Sequence, residues 1–320
     1  MRCCILYNQP GENALPDELD IIEQVEYVET HLRQMGIETY RKGITTGFMH
    51  ELADLALNQP DFVFNLAESI NNKGELLYFV PAILNMYSIP YTGNPLEAMF
   101  ITTSKALTHK ILSSAGLSTP MAYPPSQSKN LKPGKKYIIK PTWEDGSMGI
   151  TAESVFFAGP GSEQKLAGYN DSHWIIQEFI DGREFNISVM MGRNGPEVLP
   201  PAEMTFINYG DSRPKIVDFK AKWEEGSFEF ENTVRKFPGS DLDPELARKM
   251  EELSLGCWKV FGLKGYARVD MRIDEDDNPY IIEVNANPCI SPNGGFAAAT
   301  YQAGYKFTDV LQWIIDDMNR

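Results

Sequence analysis

Between Gly265 and Asn287 the chain alternates polar and apolar residues twice: in Gly-Tyr-Ala-Arg-Val-Asp-Met-Arg-Ile-Asp and again in Tyr-Ile-Ile-Glu-Val-Asn-Ala-Asn. The polar run from Asp274 to Pro279 separates the halves. A period of two marks a strand with one buried face, and two such runs about a polar break read as a β-hairpin. Arg268, Asp270 and Arg272 then share one face of the first strand, against Val269 and Met271. In the second strand Ile281, Glu283 and Asn285 share a face, against Tyr280, Ile282 and Val284. Folding symmetrically about the loop centre sets Asp270 opposite Glu283 and Arg268 opposite Asn285. Opposed side chains have Cβ atoms roughly 4.5–5.5 Å apart, close enough for like charges to repel. Two carboxylates and a carboxamide so placed need a cation, and hard oxygen ligands suit Mg²⁺ together with substrate phosphates. A solvent-facing strand pair would show the same alternation, so the remaining residues have to decide.

At 320 residues the chain is long enough for two or three domains. Its net charge of −15, from 44 acidic and 29 basic residues, argues against non-specific binding of nucleic acid or an anionic membrane. That balance leaves room for a local cationic pocket. The cysteines, at 3, 4, 257 and 289, show no C-x-x-C spacing. The opening Met-Arg-Cys-Cys-Ile-Leu-Tyr is too short an apolar run for a signal peptide, and no stretch approaches the ~20 apolar residues of a membrane span. A reduced, cytoplasmic protein is expected. The histidines (31, 50, 109, 173) are too scattered to support a zinc site.

Along the chain, strands and helices alternate at first. Strands are predicted at 2–7, 38–40, 62–65 and 89–93, and helices at 17–35, 49–57, 75–87, 95–101 and 104–114. In helix 17–35, Leu19, Ile22, Val25, Val28 and Leu32 form the apolar face. This pattern predicts a parallel sheet with helices on both faces. Strands follow at 137–140, from 154 and at 174–178, with a helix at 162–167. Then come a strand at 184–191, a long polar excursion over 202–237, a helix at 244–261, the hairpin and a helix from Phe307.

Several residues have the chemistry to hold a nucleotide. Lys140 ends an alternating strand and can bury its stem while aiming its ammonium at a phosphate. The loop Glu-Asp-Gly-Ser-Met-Gly (144–149) can offer backbone N–H groups and the Ser147 hydroxyl, although it is not a G-x-x-x-x-G-K-[ST] loop. Gln177, Phe179 and Ile180 lie on an extended stretch that can read an adenine edge and sandwich its ring, and Glu184 can accept from ribose hydroxyls. Lys105 sits near a helix start, and Lys222 is read on a strand face shared with Asp218 and Lys220. Each alone is an ordinary surface residue.

Their order along the chain resembles the ATP-grasp superfamily and, within it, the D-alanine–D-alanine ligase family. Ile-Pro-Tyr-Thr-Gly (89–93), Ile-Lys-Pro (139–141) with Gly-Ser-Met-Gly (146–149), Gly-Tyr-Ala-Arg-Val-Asp (265–270) and Glu-Val-Asn-Ala-Asn-Pro (283–288) carry the likeness. The resemblance implies an ATP-grasp fold, α/β and α+β, behind an N-terminal Rossmann-like domain. It divides the chain into 1–102, 103–180 and 181–320. It also implies that Asp270, Glu283 and Asn285 hold Mg²⁺, as two ions, with Mn²⁺ an acceptable substitute. Lys105, Lys140 and Lys222 would contact ATP phosphates, Glu184 the ribose, and Gln177, Phe179 and Ile180 the base. Ser147 would lie in a loop closing over the phosphates, and Arg268 would stabilise charge on the reacting acyl centre. The implied activity joins an amino acid or small carboxylate to an amine acceptor through an acyl phosphate. The assembly implied is a homodimer. A phosphotransferase or a non-catalytic ATP-binding module are the competing readings.

The chain departs from the family where amino acids would bind. Residues 67–75, Ala-Glu-Ser-Ile-Asn-Asn-Lys-Gly-Glu, replace an H-G-x-x-G-E-D-G segment. Within residues 8–16 only Glu12 offers a carboxylate for the first amino acid, and Gly294 falls where a serine would take the second substrate's carboxylate. Altered substrates are therefore expected. Cys289 has no histidine near it in sequence and reads as an inert loop thiol.

Overall fold

The computed structural model describes residues 1–12, 14–144 and 146–318. Strand β1 (Arg2–Asn8), helix α1 (Pro16–Gln34), β2 (Glu38–Ile44), α2 (Phe48–Asn58) and β3 (Phe62–Asn65) build a parallel sheet in the order β2-β1-β3. Both faces of β1 are buried, as parallel strands between helices require. Helix α1 buries Ile21, Val25, Val28 and Leu32, spaced one helical turn apart, while Leu19 is 51% exposed. The predicted apolar stripe was thus rotated at its first turn. The predicted helix 75–87 divides into a 3₁₀ turn at Gly74–Leu76 and α3 (Phe79–Met86). The predicted strand 89–93 is reduced to one parallel bridge between Val63 and Tyr91. Helices α4 (Leu96–Thr103) and α5 (Lys105–Ser114) follow, α5 capped by the Ser104 hydroxyl on Leu107 N.

Strands β4 (Ala122–Tyr123), β5 (Lys136–Pro141), β6 (Val155–Phe157) and, after α6 (Ser162–Leu166), β7 (Trp174–Glu178) form an antiparallel sheet, β4-β7-β5-β6. The last sheet contains β8 (Arg183–Gly192), β9 (Gly195–Val198), β10 (Ala202–Phe206), β11 (Thr233–Lys236), β12 (Tyr266–Ile273) and β13 (Pro279–Asn285). Its order is β11-β10-β8-β12-β13, with β9 on β8. The polar excursion is therefore ordered: it supplies β10 and β11 and the short helices α7 (Phe219–Trp223) and α8 (Phe228–Asn232). Their pattern was hidden because β10 and β11 are short and only half-buried, with β11 at the sheet edge.

Helix α9 (Pro244–Phe261) matches its predicted span, with Asp243 capping Leu246 N and Gly262 closing it at φ +60°. Helices α10 (Gly295–Gln302) and α11 (Phe307–Asp317) end the fold. Strand β12 lies between β8 and β13, and its alternation settles the two faces. Ala267, Val269, Met271 and Ile273 join Phe185, Ile187 and Val189 in the core. Arg268, Asp270 and Arg272 occupy the other face, in register with Ser188, Asn186 and Glu184. None of the described helices is long and apolar enough to cross a membrane.

Candidate active site

The hairpin register is the expected one at its open end: Asp270 pairs with Glu283 and Arg268 with Asn285. Towards the loop the register shifts by one residue, so that Met271 pairs with Ile281. The extra residue is Ile282, and its carbonyl accepts from Lys140 Nζ at 3.1 Å. This bulge corrects the expected faces, because Ile281 joins Val284 in the core rather than sharing a face with Glu283.

The opposed carboxylates are balanced by protein cations. Arg268 grips Asp270 with two bonds, Nε–Oδ1 at 2.7 Å and Nη2–Oδ2 at 2.8 Å. Lys105 Nζ stands 3.4 Å from Glu283 Oε1 and donates to Glu144 O at 2.5 Å. Burial works against the Arg268 charge, yet Asp270 and Glu283 outweigh it and hold the guanidinium above its ordinary pKa. For Lys140 the balance reverses. Burial lowers it to about 8, only partly opposed by Glu283 and reinforced by Lys105.

Glu184 is tied to Arg272, whose Nη1 lies 2.9 Å from Oε2. The same guanidinium donates to the carbonyls of Ile180, Gly182 and Lys215 and lies 4.9 Å from the Phe179 ring centre. Arg272 therefore clamps the stretch that was expected to face the base and ribose, and the sequence reading had not singled it out. Gly182 lets this stretch approach β12, since a Cβ there would lie 1.9 Å from Ile273 O. Burial raises the Glu184 pKa against the pull of Arg272.

These groups line a cavity of about 430 Å³ between the antiparallel sheet and the polar face of β8, β12 and β13. Lys105, Lys140, Ser147, Gln177, Phe179, Ile180, Glu184, Lys222, Arg268, Asp270 and Glu283 all line it. Asn285 instead lines a second cavity, of about 460 Å³, which shares Lys222, Arg235 and Arg268 with the first. Lys222 is on helix α7, not on a strand. Asp218 caps that helix through Ala221 N, so the expected shared strand face does not exist. In the 144–149 loop, Asp145 lies outside the described residues. Ser147, at φ +66°, donates to Val217 O at 2.7 Å, and Gly146 O accepts from Trp223 Nε1 at 3.0 Å. The loop thus docks on the segment carrying Lys222.

Among the described residues no group of three or more His, Cys, Asp or Glu is placed to hold a metal ion by itself. Two carboxylates and a carboxamide are instead a partial set of hard oxygen donors, suited to a cation that also takes ligand oxygens. Although Arg268 engages both Asp270 oxygens, each carboxylate oxygen has more than one acceptor site. The donor set fits Mg²⁺.

A family model described as "D-ala D-ala ligase C-terminus" matches residues 133–316. The chain belongs to the D-alanine–D-alanine ligase family. A D-alanine–D-alanine ligase of Carboxydothermus hydrogenoformans is 30% identical over 250 residues, 74% of this chain and 75% of that protein. Among solved structures, the D-alanine–D-alanine ligase of Bacillus anthracis superposes with a TM-score of 0.76 at 22% identity, covering 100% of this chain and 98% of the other. The VanG D-Ala:D-Ser ligase of Enterococcus faecalis gives 0.74 at 17% identity, covering 99% of each. The fold is the ATP-grasp fold of this ligase family, as the motifs implied, and the chain is a ligase of the C–N bond-forming class.

Against the family pattern, the second cavity holds what the sequence reading missed. Glu12 is exposed and does not line it, whereas Glu18, Asp20 and Glu68 do. Glu18 is committed to structure, accepting from Leu15 N at 2.7 Å and Asn72 Nδ2 at 2.9 Å. Asp20 and Glu68 are bridged by Gln24 Nε2, at 3.1 and 2.9 Å. A signal for Glu68 was available: it follows β3, and ligands of parallel sheets gather beyond the carboxyl ends of the strands. Arg235 lay unremarked in the polar excursion. Cys289 Sγ donates to Asp20 Oδ2 at 3.0 Å, and burial with the charges of Asp20 and Glu68 pushes its pKa up to about 12. It is held as a neutral thiol.

Proposed function

We propose that this ligase uses ATP to join the carboxylate of one small molecule to the amine of an amino acid, and that its substrates differ from two D-alanines. The observation that carries this is the shared wall of the two cavities. Lys222, Arg235 and Arg268 line both, so phosphates held in the first would border substrates held in the second. ATP is a substrate here. Lys105, Lys140 and Lys222 would hold its phosphates, Glu184 its ribose, and Gln177, Phe179 and Ile180 its base. The Bacillus anthracis relative was solved complexed with ATP.

The donor carboxylate oxygen attacks the γ-phosphorus and ADP leaves. The acceptor amine then attacks the acyl carbon, phosphate leaves, and the nitrogen gives up its proton. Arg268 stands ready to stabilise the negative charge that develops on the acyl oxygen, and positioning accounts for much of the rest. The Ser147 loop would exclude water from the acyl phosphate. Asp270, Glu283 and Asn285 would hold two Mg²⁺ ions, or Mn²⁺ in their place, which would supply positive charge to the phosphate oxygens. We further propose a division at 1–102, 103–180 and 181–320, supported by one sheet within each part. A cytoplasmic homodimer is the expected setting, and sedimentation tests the assembly.

The deciding experiment measures phosphate release from Mg-ATP across D- and L-amino acids and dipeptides, singly and in pairs, with mass spectrometry of the products. Release that needs two amino-acid partners, with a dehydrated condensation product, is expected. A phosphorylated product formed without an amine overturns the ligase reading in favour of phosphotransfer. D-alanine turnover equal to that of any other pair overturns the altered-substrate part.

A further inference from the structure

Arg183, Arg268 and Arg272 each pair with a carboxylate. Arg235, on β11, has no such partner among the described residues. Its Nη1 donates to Gly294 O at 3.0 Å and its Nη2 to Asn293 O at 2.8 Å, and the charged neighbour it feels most is the cation Arg268. Burial and Arg268 together hold its pKa below the ordinary value. A partly buried guanidinium without a counter-charge is costly unless a ligand completes it. The two carbonyls orient the fork and leave its other N–H donors for that ligand. Asp20 and Glu68 line the same cavity, so an anion entering it is repelled by them and drawn to Arg235 and Arg268.

We propose that Arg235 binds the carboxylate of the amine acceptor, which makes the acceptor an amino acid or a peptide rather than a simple amine. Gly294 offers no side chain for that task, and Arg235 reaches the same loop from the neighbouring strand. The inference rests on the ligase reading above. Because Arg235 also lines the nucleotide cavity, a phosphate oxygen is the rival ligand.

The test compares an active acceptor with its carboxamide, at saturating Mg-ATP, in wild type, Arg235→Lys and Arg235→Met. In wild type the carboxamide should be about 10- to 100-fold poorer in kcat/KM, the range for a lost charge-assisted hydrogen bond. In Arg235→Met the acid should fall to the level of the amide, with the KM for ATP unmoved, and Arg235→Lys should lie between. Equal use of acid and amide by wild type overturns the proposal, whatever the variants do. So does a variant that weakens both equally, which would mean that Arg235 only braces residues 293–294. A raised KM for ATP with the acid-to-amide ratio kept assigns Arg235 to a phosphate instead. If no pair turns over, the ligase reading falls. Calorimetry of amino acids and their carboxamides in the presence of ADP then judges Arg235 alone. Acid-selective binding lost in Arg235→Met supports the site, and unselective or absent binding rejects it.

Discussion

The proposed nucleotide cavity and the proposed substrate cavity differ little in volume, about 430 and 460 Å³, but they are built differently. The first is walled by strands of two sheets, and its charges are interleaved: Arg268 on Asp270, Arg272 on Glu184, Lys105 beside Glu283. The second is gathered from the start of α1, the segment after β3, the loop after β13 and the end of β11. Its charged lining is drawn from separate segments and includes Asp20, Glu68, Arg235 and Arg268. Interleaved charges on strands make a site whose geometry hardly depends on any single loop. A site gathered from loops is one that a few substitutions can re-aim. On this view the nucleotide half tolerates little change and the substrate half sets what is joined.

The largest effect should come from the interleaved half. Glu283→Gln removes a charged ligand from the expected metal pair, and turnover of Mg-ATP with its acceptor should fall on the order of 1,000-fold. The fold should survive, because one of two facing carboxylates is neutralised; circular dichroism and a melting curve check this. A Glu283→Gln enzyme with wild-type turnover would remove the metal from this hairpin and break the contrast between the halves.

Lys140 gives a smaller, pH-graded effect. Its ammonium loses its proton near pH 8 in the folded protein, against an ordinary value of 10.5. Between those values the unfolded chain binds the proton and the folded one does not, so this group's penalty on stability is complete below 8 and is relieved as pH rises towards 10.5. Phosphate binding requires the protonated form. ATP affinity, measured in EDTA, should therefore fall as pH rises through 8, approaching about tenfold per unit above it. Lys140→Met should bind more weakly at neutral pH and show a flatter profile. A wild-type profile without a step near 8 would take Lys140 off the phosphates.

The same contrast explains what was legible in the sequence. Strand alternation at Arg268, Asp270, Glu283 and Asn285 fixes faces and neighbours through a period of two, so the register at the open end of the hairpin could be worked out by hand. Its limit was the bulge at Ile282, since an inserted residue leaves the composition unchanged and shifts only the partners. Helix α9 was legible because Asp243 and Gly262 mark its ends. Asp20, Glu68 and Arg235 were not, because they meet only through tertiary packing of segments far apart in sequence, and no local period connects them. Lys222 lines the cavity from a helix and not from the strand expected. Its six-residue context alternates like a strand, but the Asp218 cap turns it into a helix.

Ser147 offers a finer probe of the nucleotide half. Ser147→Ala removes the hydroxyl bond to Val217 O but keeps the backbone of the loop. If the loop covers phosphates, the KM for ATP should rise only a few-fold, about what one neutral hydrogen bond of roughly 1 kcal/mol supports. A loss as large as that of Glu283→Gln would make Ser147 a direct participant in the chemistry.

The smallest effect is expected at Cys289, in the substrate half. Its thiol is neutral at physiological pH, donates to Asp20 Oδ2 at 3.0 Å and lies 3.1 Å from Ser291 Oγ. Cys289→Ser preserves a donor of similar size, so turnover should stay within about twofold, and stability within the roughly 0.5 kcal/mol typical of a change that disturbs neither packing nor pairing. Cys289→Asp would instead add a third negative charge beside Asp20 and Glu68. That variant should weaken acceptor binding more than it raises the KM for ATP, because Cys289 lines the second cavity and not the first. If both constants moved together, the two cavities would be electrostatically one site, and the division of labour argued from their construction would fail.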